Sequence, residues 1–203
     1  MLSAVITADI VNSTRLPRTE LRKLMQGIEA ALTPYLHEFY RGDSFQVFVP
    51  AAEEAFALVV QLRVLARKAA PDCDIRCSLG LGPMKTRPKV LRTATDEVFV
   101  RSGRRFDSLK EGERLAILAT DEEARLDSGY RLLAAFTDHL LMQMTQKQAA
   151  VVLELLQGKN QVETAKKLKK SQATVNKHVQ AAGWPALEKL LAEYRILTGS
   201  IAR

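Results

Sequence analysis

The chain alternates between two hydrophobic periods. Ser3 to Ile10 (SAVITADI) is a short apolar run rich in β-branched residues and predicts a buried strand. VNST follows as a loop, with Ser13 or Thr14 placed to cap what comes next. Leu21, Leu24, Met25, Ile28 and Leu32 fall at helical spacing, so a helix is expected to end near Pro34 or beyond it. In HEFYRGDSFQVFVP, two aromatic residues lead into Arg41-Gly42-Asp43, and Phe45, Val47 and Val49 then alternate with Ser44, Gln46 and Phe48. That reads as a hairpin with an acid at the start of its second strand. AAEEAFALVVQLRVLARKAAP predicts a second amphipathic helix stopped by Pro71, and DIRCSLGLG another strand. A basic loop with two prolines, PMKTRPKVLRTAT, precedes a third helix in DEVFVRSGRRFDSLK. ERLAILA is a strand, and Thr120 ahead of Asp121, Glu122 and Glu123 marks a helix start.

This order is β-α-β-β-α-β-α-β, then helix. Strands joined by a hairpin exclude a wholly parallel sheet. The expected class is α+β, a ferredoxin-like sheet with helices on one face. From Thr145 onward only helices are predicted. Thr145 caps QKQAAVVLELLQG, which Gly158 ends; QVETAKKLK is a second short helix; Ser171 caps a third, SQATVNKHVQAAG. Pro185 opens the last helix, with Trp184 just outside it. The expected divisions are a sheet domain over 1–120, a connecting helix over 121–144 and an all-α domain over 145–203.

Charge sharpens the division. The net charge is +7. Thr145 to Arg203 holds ten Lys and Arg against four Asp and Glu, a net of +6, while the preceding residues hold twenty against nineteen. A small basic module on a near-neutral body is the footprint of a nucleic-acid-binding unit, although a solvated basic surface has the same composition. Cys73 and Cys77, if both lie on one strand, are about 13 Å apart, too far for a disulfide, and no further ligand sits near them, so buried free thiols are expected. His37, His139 and His178 are scattered. No apolar run spans a membrane, and MLSAVITADIV lacks the basic start and cleavage site of a signal peptide, so the cytoplasm is the expected compartment.

Within the basic tail, two short helices are joined by about three residues. Ala165 falls where they approach, and Val162, Leu168, Val175 and Val179 are expected to pack between them. This is the pattern of a helix-turn-helix. Ser171, Gln172, Ala173, Thr174, Asn176, Lys177 and Gln180 are then candidates for reading DNA, with Lys166, Lys167, Lys169 and Lys170 over the backbone. From MTQKQAAVVLELLQG through SQATVNKHV, the segment resembles sigma-factor region 4 and LuxR-type regulators. An ordinary packing bundle is the competing reading.

In the first domain, Asp9 follows the apolar strand AVITA and Asp43 follows the turn RG. An acid within an apolar strand is costly unless paired, hydrogen-bonded or metal-bound. Asp9 and Asp43 on neighbouring strands, beside a short polar loop whose backbone N–H groups can face phosphate, suit a magnesium–nucleotide site. Each also has a plainer reading: Asp43 belongs to the hairpin turn and Asp9 caps the following loop. Arg101, Arg104 and Arg105 on the third helix are either phosphate-binding or solvated.

ADIVNST, GDSFQVF and IRCSLGLG resemble the motifs of the class III nucleotidyl cyclase domain, a palm-like ferredoxin fold. With the helix-turn-helix tail, nearly the whole chain resembles the SatD-like family of bacterial proteins. The resemblance implies Asp9 and Asp43 as metal ligands for Mg2+ with a nucleotide, and Asn12, Ser13, Thr14 and Arg104 as nucleotide-binding residues. The catalytic segment departs from the cyclase pattern: Val100 stands where an Asn is usual, while Arg104 matches the Arg. Phe39, Tyr40 and Arg41 occupy the region of the usual base-selecting Lys. The expectation is a homodimeric DNA-binding regulator whose cyclase-like domain senses a nucleotide or mediates dimerisation. The alternative is an Mg2+-dependent nucleotidyl cyclase or nucleotide-polymerising enzyme, with Arg104 as its catalytic arginine.

Overall fold

The computed structural model of the chain describes residues 2–40, 42–84, 86–119 and 124–201. Arg41 of RGD, and Thr120 with Asp121, Glu122 and Glu123, expected as a helix start, lie outside these residues. The fold is α+β, a mixed five-stranded sheet with eight α-helices among the described residues.

β1 (Leu2–Val11) is the central strand and pairs antiparallel with both β3 (Ser44–Val49) and β4 (Asp74–Pro83). β2 (Leu36–Tyr40) closes the hairpin onto β3, with Gly42 at φ 87° in the turn, a conformation that glycine adopts without steric cost. β5 (Leu115–Leu118) joins β4 in parallel, giving the order β2-β3-β1-β4-β5.

Alternation along β1 sends Ala4, Ile6, Ala8 and Ile10 to one face, against Leu24, Ile28 and Leu32 of α1 (Arg18–Leu32) and against α2 (Ala52–Ala69). Val5 points the other way, into a separate cluster with Phe48 and with Val98 and Phe99 of α3 (Glu97–Asp107). The expected one-sided arrangement of helices is therefore corrected: α3 covers part of the second face. A parallel β4–α3–β5 connection requires a crossover, and α3 supplies it. Gly80 permits the close approach, since a Cβ there would stand 3.0 Å from the Val98 carbonyl oxygen.

α2 is buried nearly all round, as a helix must be when it lies between a sheet and other helices. Its far side meets α4 (Ala124–Met142), α5 (Gln146–Leu156) and α8 (Trp184–Ile201). One hydrophobic cluster runs from the sheet through α2 into Leu141, Val152, Leu187 and Tyr194. Polar contacts fasten the same seam. Tyr194 donates its hydroxyl to the Ala52 carbonyl at 2.8 Å, and Arg67 donates to the carbonyls of Met142 and Met144.

α6 (Gln161–Leu168) and α7 (Gln172–Ala181) complete the tail around Val151, Ala165, Val175 and Val179. The expected role of Val162 fails: it is 46% exposed. α6 buries Thr164 and Ala165 and packs Leu168 against the tail cluster, while Val162, in the first turn, lies outside it. Cys73 and Cys77 are buried free thiols, as expected. No helix among the described residues is long and apolar enough to cross a membrane.

Candidate functional site

The second face of the sheet is polar where α3 does not cover it with apolar side chains. Ser102 on α3 shares a hydrogen bond with Thr7 at 2.9 Å and donates to the carbonyls of Val5 and Ser78, and Gln46 donates to Thr7 at 3.1 Å. Asp9 lies two residues further along β1 on this same face.

Register decides what Asp9 meets. It stands opposite Ser44 on β3 and Arg76 on β4. Arg76 donates Nε to Asp9 Oδ1 at 3.3 Å and Nη2 to Oδ2 at 2.6 Å. Its guanidinium also lies 4.7 Å from the centre of the Phe106 ring. The half-buried strand acid is thus paired by a cation, which offsets the part of its hydration it loses.

Asp43 has a different partner. Its Oδ2 accepts from the buried Ser13 hydroxyl at 2.7 Å, and its carbonyl accepts from Ile10 N at 3.2 Å. These bonds pin the loop after β1 to the hairpin turn. Asn12 is left-handed (φ 60°, ψ 26°), and its Nδ2 reaches the Asp72 carbonyl at 2.7 Å. Asn is among the few residues that adopt this region readily. Thr14 and Arg104 are exposed.

An open cleft of about 530 Å³ adjoins the end of β1, lined by Asp9, Asn12, Arg76, Lys110, Glu111 and Arg114 among others. Of the residues expected to bind metal or nucleotide, Asp9 and Asn12 line it; Asp43, Ser13, Thr14 and Arg104 do not. Arg76, Lys110 and Arg114 were not singled out from sequence. Arg76 carried a legible signal, a cation inside the apolar strand DIRCSLGLG.

These residues, as held, do not suit a divalent cation at Asp9. Both carboxylate oxygens accept from Arg76, so a cation bound there would share Asp9 with a guanidinium and meet its positive charge at close range. No group of three His, Cys, Asp or Glu side chains placed to hold a metal occurs among the described residues.

The second candidate surface is in the tail. Three residues, 169–171, separate α6 from α7. Lys169 takes the left-handed conformation (φ 51°, ψ 48°), and Lys170 N bonds back to the Ala165 carbonyl at 3.0 Å. Ser171 caps α7 by accepting from Thr174 N, and the two hydroxyls share a 2.9 Å hydrogen bond. Ser171 and Thr174 are therefore engaged in holding the helix start. Gln172, Ala173, Asn176, Lys177 and Gln180 are exposed.

α7 itself contains no acid. The two acids of α5 and α6 are both internally committed. Glu154, buried on α5, pairs with Lys159 and with Lys167 at 3.0 Å. Glu163 completes the capping box of α6, accepting from Asn160 N at 2.9 Å. Lys166 and Lys169 are exposed beside the turn.

Compared with protein-family models and with curated proteins, the chain matches none.

Proposed function

We propose that the chain is a DNA-binding transcriptional regulator in which α7 reads the major groove and the polar face of the sheet binds a nucleotide-like ligand. The observation that carries the reading is the outward surface of α7. Gln172, Asn176, Lys177 and Gln180 are exposed together, without an opposing acid on the helix. Asn and Gln side chains pair with adenine, and Lys contacts guanine or phosphate. The short α6, three-residue turn and capped α7 support docking as a helix-turn-helix, with the start of the second helix toward base edges.

The sheet supports a ferredoxin-like, palm-type reading of the first part. Its β1–α1–β2–β3–α2–β4 order with β2-β3-β1-β4 pairing fits that arrangement, to which α3 and β5 are added. Ligand sensing rather than turnover is favoured by Arg104, which is exposed and outside the cleft, and by Val100, 39% exposed at the position of the usual Asn. Mg2+ with a nucleotide enters this reading with Asp9 shared between the cation and Arg76, or freed by Arg76. A homodimer is part of the proposal, since two copies of α7 would read paired half-sites. Leu132 and Phe136, 60% and 57% exposed one turn apart on α4, support self-association.

A mobility-shift assay against genomic fragments, including the promoter region of its own gene, tests the proposal. Selective retention of some fragments is expected, and Asn176→Ala should weaken the selected site by about tenfold or more. Uniform weak binding that Asn176→Ala leaves unchanged overturns it.

A further inference from the structure

Three cations from two parts of the chain line the cleft beside β1. Arg76 comes from β4, and Lys110 and Arg114 come from the loop between α3 and β5. Asp9 and Glu111 line the same cleft. Asp9 is already committed to Arg76, and Glu111 is exposed to solvent.

Arg76 is held in a particular way. Asp9 takes Nε and Nη2, and the Phe106 ring supports the guanidinium. Nη1 has no hydrogen-bond partner among the described residues. A guanidinium fixed on one edge and open on another is pre-organised for an anion, and its planar fork matches phosphate oxygens. Arg114 is steadied too, with Nη1 on the Glu113 carbonyl at 3.1 Å. Its backbone N–H is held by Asp138 at 2.9 Å. The volume of about 530 Å³ falls within the range of small-molecule sites.

We infer that this cleft binds the phosphate group of a small ligand directly, through Arg76, Lys110 and Arg114, without a divalent cation. Asp9 is then a positioning residue for Arg76 and not a metal ligand. The inference deepens the ligand-binding half of the proposed function and does not depend on the tail reading DNA.

Isothermal titration calorimetry on the full chain, without DNA, tests it with two probes, inorganic pyrophosphate and ATP, each in EDTA and in Mg2+. Saturable binding in EDTA is expected, weakened about tenfold or more in Arg76→Gln and in Lys110→Gln. Lys110 is exposed, so Lys110→Gln should leave the melting temperature nearly unchanged and isolate the charge. Asp9→Asn should weaken binding in EDTA as well, because it loosens Arg76. Equal affinity for both probes assigns recognition to phosphate alone, and tighter ATP binding assigns it to a nucleotide. Binding that appears only with Mg2+, binding unchanged in both Arg76→Gln and Lys110→Gln, or no binding of either probe overturns the inference. A failed mobility shift alongside intact calorimetry rejects only the DNA-reading half.

Discussion

The Arg63 guanidinium, fully buried in α2, donates Nη1 to Asp138 Oδ1 of α4 at 2.5 Å. Its Nε and Nη2 bind Asp74 at the start of β4 at 3.0 and 2.9 Å. The other oxygen of Asp138 accepts from the backbone N–H groups of Arg114 and Leu115. One carboxylate therefore joins the sheet, the principal core helix and the helix that leads to the tail. Burial disfavours charge on Arg63, but Asp74 and then Asp138 more than offset this and hold it protonated.

Asp138→Ala removes one of the two counter-charges of a buried arginine and strands two N–H groups. A loss of roughly 3 kcal/mol in unfolding free energy is expected. Urea denaturation followed by circular dichroism measures it, and a change below about 1 kcal/mol, the scale of a surface pair, would refute the role given to this node.

Lys169 holds a left-handed conformation in the turn between α6 and α7, a position where helices commonly place glycine. Lys169→Gly should stabilise by about 0.5 kcal/mol, raising Tm by about 1–2 °C. Lys169→Ala removes the same charge without relieving the backbone and should not raise it. Scanning calorimetry of both variants separates backbone strain from charge.

Acid should weaken the tail in two steps. Burial lowers the His178 pKa below its ordinary 6.5, assisted by Lys170 and Lys147. The folded state prefers neutral imidazole, so the contribution is complete above pH 6.5 and is lost as pH falls below 6.5 through the lowered folded value. Burial works to raise the Glu154 pKa, but its bonds to Lys159 and Lys167 outweigh this and leave it below its ordinary 4.5. Its contribution is complete above pH 4.5 and is lost as pH falls through the lowered folded value. Stability measured from pH 8 to 3 should fall in both windows. Glu154→Gln should flatten only the lower one, and His178→Gln only the upper.

Burial raises the Cys73 thiol to about 11 and pushes Cys77 higher still. Thiolate, the reactive form, is therefore scarce at neutral pH. Neither cysteine should react with a thiol-specific reagent at pH 8 in the folded protein, and both should react in denaturant. Rapid labelling of the native chain would contradict the packing around β4.

The order of elements through β5 was legible because each has its own period, cap or breaker. SAVITADI, the RGD turn, Pro71, Thr145 and Ser171 announce themselves locally. The free thiols were legible because an extended stretch keeps two cysteines four apart from bonding, although Cys73 itself lies one residue ahead of β4. Asp9 was legible as an acid that needed a partner. The partner was not, because periodicity tells which face a side chain takes but not which residue of a distant strand lies beside it. Register placed Arg76 there, 67 positions along the chain, and paired it with Asp9. Arg63 was hidden for a related reason. In LVVQLRVLA it reads as the polar side of an amphipathic helix, and only the helices packed on the far side of α2 make that side an interior. Val162 shows the converse, an apolar residue at helical spacing that the fold leaves 46% exposed. Local sequence sets dihedral preferences and caps over a few residues; which side chains become partners depends on how many elements pack against each face, and that was decided only by the tertiary structure.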